Sequence, residues 1–329
     1  MTAPAPSHPG PARLVTLGET MAALTPDRIG PLRHARTLGL STAGSESTVA
    51  VGVRRLGHRA AWVGRVGADE LGALVTGRLR AEDVDVHAVT DPGAPTGLMI
   101  KERRTAALRR VHYYRGGSAG SRLSPADLPD GLVESADLLH VTGITLALSP
   151  DAAATVHAAV DRAAAAGVAV ALDVNHRARL WSAEDAAAAV GALLPRVRLL
   201  FAGADEARML LGPDHGDADV PPAELARALR ERGPDTVVVT LGADGAVAAC
   251  AQGTVEAAAR PVPEVDPVGA GDSFVAGYLA ARLDGAGPDG CLSLATRVAA
   301  WSVATEGDWE GLPTRAELAL TDAPGTVAR

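Results

Sequence analysis

Lysine is nearly missing from this sequence: Lys101 stands alone, and arginine carries almost all the positive charge. Alanine is correspondingly abundant, so the skew reads as compositional and assigns no function. Cysteine is scarce too. Cys250 and Cys291 show no metal-ligand spacing in a chain of 329 residues, which fits buried thiols of a cytoplasmic protein. No apolar run approaches the ~20 residues that a membrane span needs. No basic run suggests nucleic acid. A formal net charge of −8 argues against polyanionic partners, while leaving room for a local pocket that takes a small anion. Residues 1–11 carry neither a basic segment nor an apolar core, which excludes a secretory signal and reads as a disordered tail. Three other chemistries lack their motifs. There is no Gly-Lys-Ser or Gly-Lys-Thr for a P-loop, no Gly-x-Gly-x-x-Gly behind the first expected strand, and no His-Glu-x-x-His. The nine histidines are scattered and read as core or surface residues.

What is present is a hydrophobic share of 47%, enough for a substantial buried core. Short β-branched runs alternate with alanine-rich helical stretches, the pattern of βαβ units around a largely parallel sheet, and no internal repeat interrupts it. Leu14–Leu17, Ala60–Val66, Asp137–Val141, Val168–Asp173 and Leu199–Ala202 read as strands. Glu46–Leu56, Asp69–Ala81, Ser149–Ala166, Ala204–Leu211 and Pro222–Arg232 read as helices. Thr236–Leu241 and Gly245–Cys250 read as a β pair joined by the turn Gly242-Ala243-Asp244-Gly245. The last third is helical over Asp272–Arg282, Asp289–Ala304 and Arg315–Leu320. Ala22–Ser41 and Thr96–Tyr114 break the rhythm with irregular strand-like patterning, and together they suggest a small β flap over one edge. The whole reads as one domain over residues 13–321, with tails at 1–12 and 322–329.

One motif carries chemistry. Gly269-Ala270-Gly271-Asp272-Ser273-Phe274 runs a turn of small residues into a segment that is apolar nearly all round, the mark of a buried helix. Small residues let the backbone approach a ligand, and the first helical turn leaves N–H groups free for an anion. The helix dipole keeps a carboxylate at that place ionised and able to accept a proton. Phosphoryl transfer asks mainly for such positioning, charge stabilisation and a base. A tight strand-to-helix turn with an acidic first residue is the plainer explanation of the glycines alone. The longer string decides between the two.

Asp266-Pro267-Val268-Gly269-Ala270-Gly271-Asp272-Ser273-Phe274-Val275-Ala276-Gly277-Tyr278 closely resembles the C-terminal motif of the ribokinase, or PfkB, family of carbohydrate kinases. Gly64-Arg65-Val66-Gly67-Ala68-Asp69-Glu70-Leu71-Gly72 is similar to the family's N-terminal motif. Thr240-Leu241-Gly242-Ala243-Asp244-Gly245-Ala246 is similar to the strand and turn under the nucleotide phosphates. Within the family the pattern most resembles 2-keto-3-deoxygluconate kinases, through Val111–Ser121, Leu139–Thr145, Leu172–Arg177 and Gly307–Gly311. The resemblance implies a ribokinase-like α/β fold, with a central mostly parallel sheet flanked by helices and a small β-sheet lid made from about 22–41 and 96–114. It implies transfer of the γ-phosphate of ATP, with Mg²⁺, to a hydroxyl of a sugar or sugar acid, and a homodimer formed through the lid.

Position by position, the resemblance makes Asp272 the base and the Gly269, Ala270, Gly271 and Asp272 backbone the anion hole. Glu206, Thr240, Gly242, Gly245 and Gly271 fall on the nucleotide side. Gly44, Thr48, Met99, Tyr113, Arg115 and Arg177 fall on the sugar side, where two guanidiniums suit a carboxylate. Asp266 and the Val268 carbonyl match positions that hold a monovalent cation, K⁺, in relatives. Three positions depart from the family pattern: Thr48 replaces an Asn, Met99 replaces a Tyr, and Gly203 replaces the Asn of an Asn-x-x-Glu string that ends here at Glu206. Those changes leave a kinase for another sugar, sugar phosphate or nucleoside as the alternative. A catalytically silent binding protein on the same fold has no use for Asp272, and a dehydrogenase would need the missing glycine fingerprint.

Overall fold

The computed structural model describes residues 13–105, 108–213 and 219–321; the tails expected at 1–12 and 322–329 lie outside the described residues. The chain opens with β1 (Arg13–Leu17), β2 (Met21–Pro26), β3 (Leu38–Ala43), α1 (Ser45–Arg55), β4 (Arg59–Gly67), α2 (Glu70–Ala81) and β5 (Asp85–Asp91). It continues through β6 (Leu98–Arg103), β7 (Arg109–Tyr114), β8 (Leu138–Thr142), α3 (Gly143–Leu148), α4 (Pro150–Ala166), β9 (Ala169–Asp173), α5 (Ala183–Leu193) and β10 (Leu199–Gly203). It closes with α6 (Ala204–Leu211), α7 (Pro222–Arg230), β11 (Thr236–Thr240), β12 (Ala246–Cys250), β13 (Gly253–Ala257), α8 (Ala270–Leu283), α9 (Pro288–Val303) and α10 (Arg315–Thr321).

Nine strands form the main sheet in the order β13-β12-β11-β10-β9-β8-β1-β4-β5, parallel from β11 to β5, with β12 and β13 antiparallel at one edge. Each central strand is apolar on both faces because both faces are covered. Val237 and Val239 enter one core with Leu200, Val160 and Leu225, whereas Val238 enters the other with Phe201, Trp62 and Tyr278. Start signals fix several helices. The Ser149 side chain accepts from the Ala152 N–H ahead of Pro150, Ser182 accepts from the Asp185 N–H, and Asp69 accepts from the Gly72 N–H.

The two irregular stretches do form a separate four-stranded sheet, β3-β2-β6-β7. Its register puts Met99 beside Ala23 and Tyr113, and these lie on one face with Met21, Ala43, Val111 and Lys101. The opposite face carries Leu24, Leu38, Leu40, Ile100 and Tyr114. Four elements escaped the sequence reading: β5, α3, α5 and β13. β5 and β13 are sheet edges with mixed polarity, α3 is a single short turn-like helix, and α5 is an alanine run without a strong apolar stripe.

Close packing of α8 fixes its place behind the sheet. A Cβ on Gly277 would lie 2.9 Å from the Ala295 Cα and 3.1 Å from the Leu294 carbonyl oxygen, so α8 and α9 touch backbone to backbone there. Gly277→Ala is expected to destabilise the fold by about 1–3 kcal/mol through overpacking, read as a lowered midpoint in urea unfolding.

Candidate active site

The carboxyl ends of β8, β9, β10 and β11 face the N-termini of α1 and α8, the crevice where open α/β sheets bind ligands. Gly269 caps α8 in a left-handed conformation, φ +83°, and a Cβ there would meet the Asp308 carbonyl oxygen at 2.9 Å. Glycine is required at that position on both counts. Ala270 spends its N–H on the Pro267 carbonyl at 3.3 Å. The N–H groups of Gly271 and Asp272 have no backbone partner among the described residues. Around Gly271 a Cβ would meet nothing within 4 Å, so this turn opens onto free space.

Asp272 sits one residue further along, buried. The Ser45 hydroxyl donates to its Oδ1 at 2.5 Å. Asn175 Nδ2 lies 3.1 Å from the same oxygen, 2.9 Å from Ser45 Oγ and 3.1 Å from Asp173 Oδ2. Burial raises the pKa of Asp272 above its ordinary value, against the lowering pull of Ser45, the Arg177 charge and Asn175. Asp173, which ends β9, is raised further by burial and by the neighbouring charges of Glu206 and Asp272. Asn175 reaches both carboxylates from a left-handed backbone, φ 40°, a conformation that asparagine adopts more readily than most residues. Glu46 anchors the start of α1: it is buried, its pKa is raised by that burial, and the Thr142 and Thr145 hydroxyls both donate to it at 2.6 Å.

The remaining expected residues fall in three places. On the nucleotide side, Thr240 ends β11, and Gly242 (φ +59°) and Gly245 (φ +104°) shape the turn into β12. Glu206 accepts from the His176 N–H at 2.6 Å and the Gly203 N–H at 2.7 Å, so it ties the loop after β9 to the start of α6. On the sugar side, Gly44 precedes α1, and a Cβ there would press on Ser47 Oγ and the Glu19 carbonyl oxygen. Arg115 is paired with buried Glu19 through Nε at 2.7 Å and Nη2 at 2.5 Å, and its guanidinium lies over the Tyr113 ring. Arg177 is exposed and makes no ion pair among the described residues. Thr48 is fully buried, its hydroxyl without a partner among the described residues, and Met99 packs in the apolar cluster of the small sheet, so neither presents open surface. On the third side, Asp266 accepts from the Val268 N–H at 3.2 Å and stands 3.6 Å from Lys101 Nζ.

Ser45, Asn175, Asp173, Glu19 and Asp308 were not singled out by the sequence reading, and Lys101 was noted there only as the sole lysine. Asn175, Asp173 and Asp308 lie inside the strings that carried the resemblance, which was their one signal. Ser45 and Lys101 meet their partners only across long separations in the chain.

The sequence profile of the pfkB family carbohydrate kinases matches residues 11–315. A 2-dehydro-3-deoxygluconokinase of Thermoproteus tenax is 39% identical over 307 residues, covering 92% of this chain and 92% of its own length. A 2-dehydro-3-deoxygalactonokinase of Haloferax volcanii is 36% identical over 298 residues, 90% of this chain and 92% of that one. The crystal structure of a PfkB protein from Polaromonas sp. JS666 superposes with a TM-score of 0.84 at 35% identity, covering 94% of this chain and 99% of that one. The chain belongs to the pfkB family of carbohydrate kinases, phosphotransferases whose acceptor is a sugar hydroxyl.

Ser45→Ala removes the shortest hydrogen bond to Asp272 and is expected to raise the Asp272 pKa further. A carboxyl-carbon NMR titration of labelled aspartate reads this directly. An unmoved titration would show that Ser45 does not stabilise the ionised form.

Proposed function

We propose that this pfkB-family kinase phosphorylates a 2-keto-3-deoxy sugar acid, with ATP as donor and Asp272 as the base. The observation that carries the reading is a buried carboxylate at the first turn of α8, beside open N–H groups of Gly271 and Asp272. Asp272 would take the proton from the acceptor hydroxyl as that oxygen attacks the γ-phosphorus, and the bond to ADP breaks in line. The amides of the turn would hold the phosphoryl oxygens, which gain little charge in a loose transition state and need mainly to be fixed in place. Thr240, Gly242 and Gly245 would line the nucleotide phosphates. Asp173 and Glu206 stand close enough to feel each other's charge, and such a pair of carboxylates would suit Mg²⁺ arriving on ATP, which would supply neutralisation of the phosphate oxygens.

The acid part of the substrate follows from the arginines. Arg177 is exposed and makes no ion pair among the described residues, and its charge is felt by Asp272 and Asp173, so a substrate carboxylate would find an open bidentate partner there. Tyr113 and Arg115 border the same side from the lid. Names carried by relatives support this acceptor class, since two of them act on 2-dehydro-3-deoxy sugar acids. A neutral sugar is the second reading, favoured by Arg115 being already neutralised by Glu19. The outward face of the lid, with Leu38, Leu40 and Tyr114 exposed, supports a homodimer formed lid to lid.

Asp272→Asn is expected to bind ATP normally and to lose turnover by about 10²–10⁴-fold, in a coupled ADP-release assay over sugar acids, hexoses, sugar phosphates and nucleosides. A near-normal rate would remove Asp272 from the role of base, and turnover confined to neutral sugars would remove the sugar-acid reading. Because burial raises the Asp272 pKa, the rate should fall with acidification through a pKa above the ordinary carboxylate value. Arg177 pulls that pKa down, so Arg177→Ala should move the acid limb to higher pH. The same variant should weaken a sugar acid far more than a neutral hexose; equal losses would show that Arg177 does not read the carboxylate.

A further inference from the structure

The only lysine of the chain lies beside Asp266, one of the two positions where a free cation was expected. Lys101 projects from β6 on the inward face of the lid, and its ammonium lies 2.5 Å from Asp308 Oδ1 and 3.6 Å from Asp266 Oδ2. All three residues are buried, at 7%, 7% and 9% exposure for Lys101, Asp308 and Asp266. Two more ion pairs bind the same lid edge to the same loops: Arg103 to Glu306 at 2.6 Å and Arg109 to Glu264 at 3.0 Å.

The place matters because of what stands on it. Asp266 begins the string that turns into α8, and its Oδ1 holds the Val268 N–H. The Asp308 backbone packs directly under Gly269, the residue that caps α8. Two buried carboxylates next to an anion-binding turn would repel a phosphate and would themselves be costly to bury. A positive charge between them relieves both the repulsion and the cost of burial. K⁺ would meet that need with carboxylate and carbonyl oxygens. Here the ammonium already donates to Asp308 and stands within ion-pair distance of Asp266, and it is close to K⁺ in size. The residues present do not fit an exchangeable ion at Asp266 and Val268 unless Lys101 leaves.

We propose that Lys101 is a resident cation, a positioning residue that replaces K⁺ beneath the anion-binding turn, so that phosphoryl transfer needs no added monovalent ion. The charge also rides on the lid. Docking of β6 completes the electrostatics of the turn, and withdrawal of β6 leaves Asp266 and Asp308 unpaired.

The test uses the full chain in choline chloride or KCl at equal ionic strength. Its rate readout rests on the kinase reading and uses whichever acceptor turns over. Its thermal readout, without substrates, does not depend on that reading. The wild-type rate and unfolding midpoint should be the same in both salts. A rise in wild-type rate of about tenfold or more with KCl would overturn the proposal. Lys101→Met should lose rate by about tenfold or more in choline, regain part of it in KCl or NH₄Cl, and show an unfolding midpoint that KCl raises. A folded Lys101→Met whose rate and midpoint ignore KCl would overturn it as well. Should that variant fail to fold, Lys101→Arg keeps the charge, and the wild-type salt comparison still decides.

Discussion

Asp272 is a carboxylate kept in a dry place at the start of a helix, and much of the surrounding structure follows from holding its charge there. Ser45 comes from the first turn of α1 and Asn175 from the loop after β9, and both put a donor on the same carboxyl oxygen. That convergence fixes how α1, α8 and the end of β9 sit on one another. Glu46 repeats the device one residue along α1, where two threonine hydroxyls from the end of β8 and the start of α3 hold it. Each buried charge is satisfied by side chains from elements distant in sequence, so a loss at one place is felt at several.

The sheet supplies the rigid part of this arrangement. Apolar side chains on both faces of β8 to β11 pin the strand ends, and the polar groups are mounted on those ends and on the loops beyond them. The lid is held differently. Its own apolar cluster is small, built on Met21, Ala23, Ala43 and Met99, and its inner edge is fastened by Lys101, Arg103 and Arg109 to acidic loops. A sheet fastened by ion pairs moves more easily than one buried in a core, because water can replace charged partners and cannot replace apolar ones.

Much of this was legible in the residues. The alternation of β-branched runs with alanine-rich stretches gave the parallel sheet, since strands covered on both faces and helices with buried small residues leave a local mark. The small sheet was legible as a break in that rhythm. The turn at Gly269 to Asp272 was legible because close approach demands small residues in sequence. Pairings across the chain were not. Nothing local to Ser45 says that it meets Asp272, and nothing local to Arg115 says that Glu19 already neutralises it. Thr48 and Met99 were expected in the sugar pocket from their place in a family pattern, and burial of both side chains is a property of packing that no short string reports.

The scarcity of lysine, which began as a matter of composition, gives the molecule an unusual chemical simplicity. Among side chains it offers amine-directed reagents one target, and that target is buried on the inward face of β6. Acylation of Lys101 would remove the charge that fastens β6 to Asp266 and Asp308. A mass shift at that one residue therefore reports on the fastening itself, with no probe attached and no residue replaced.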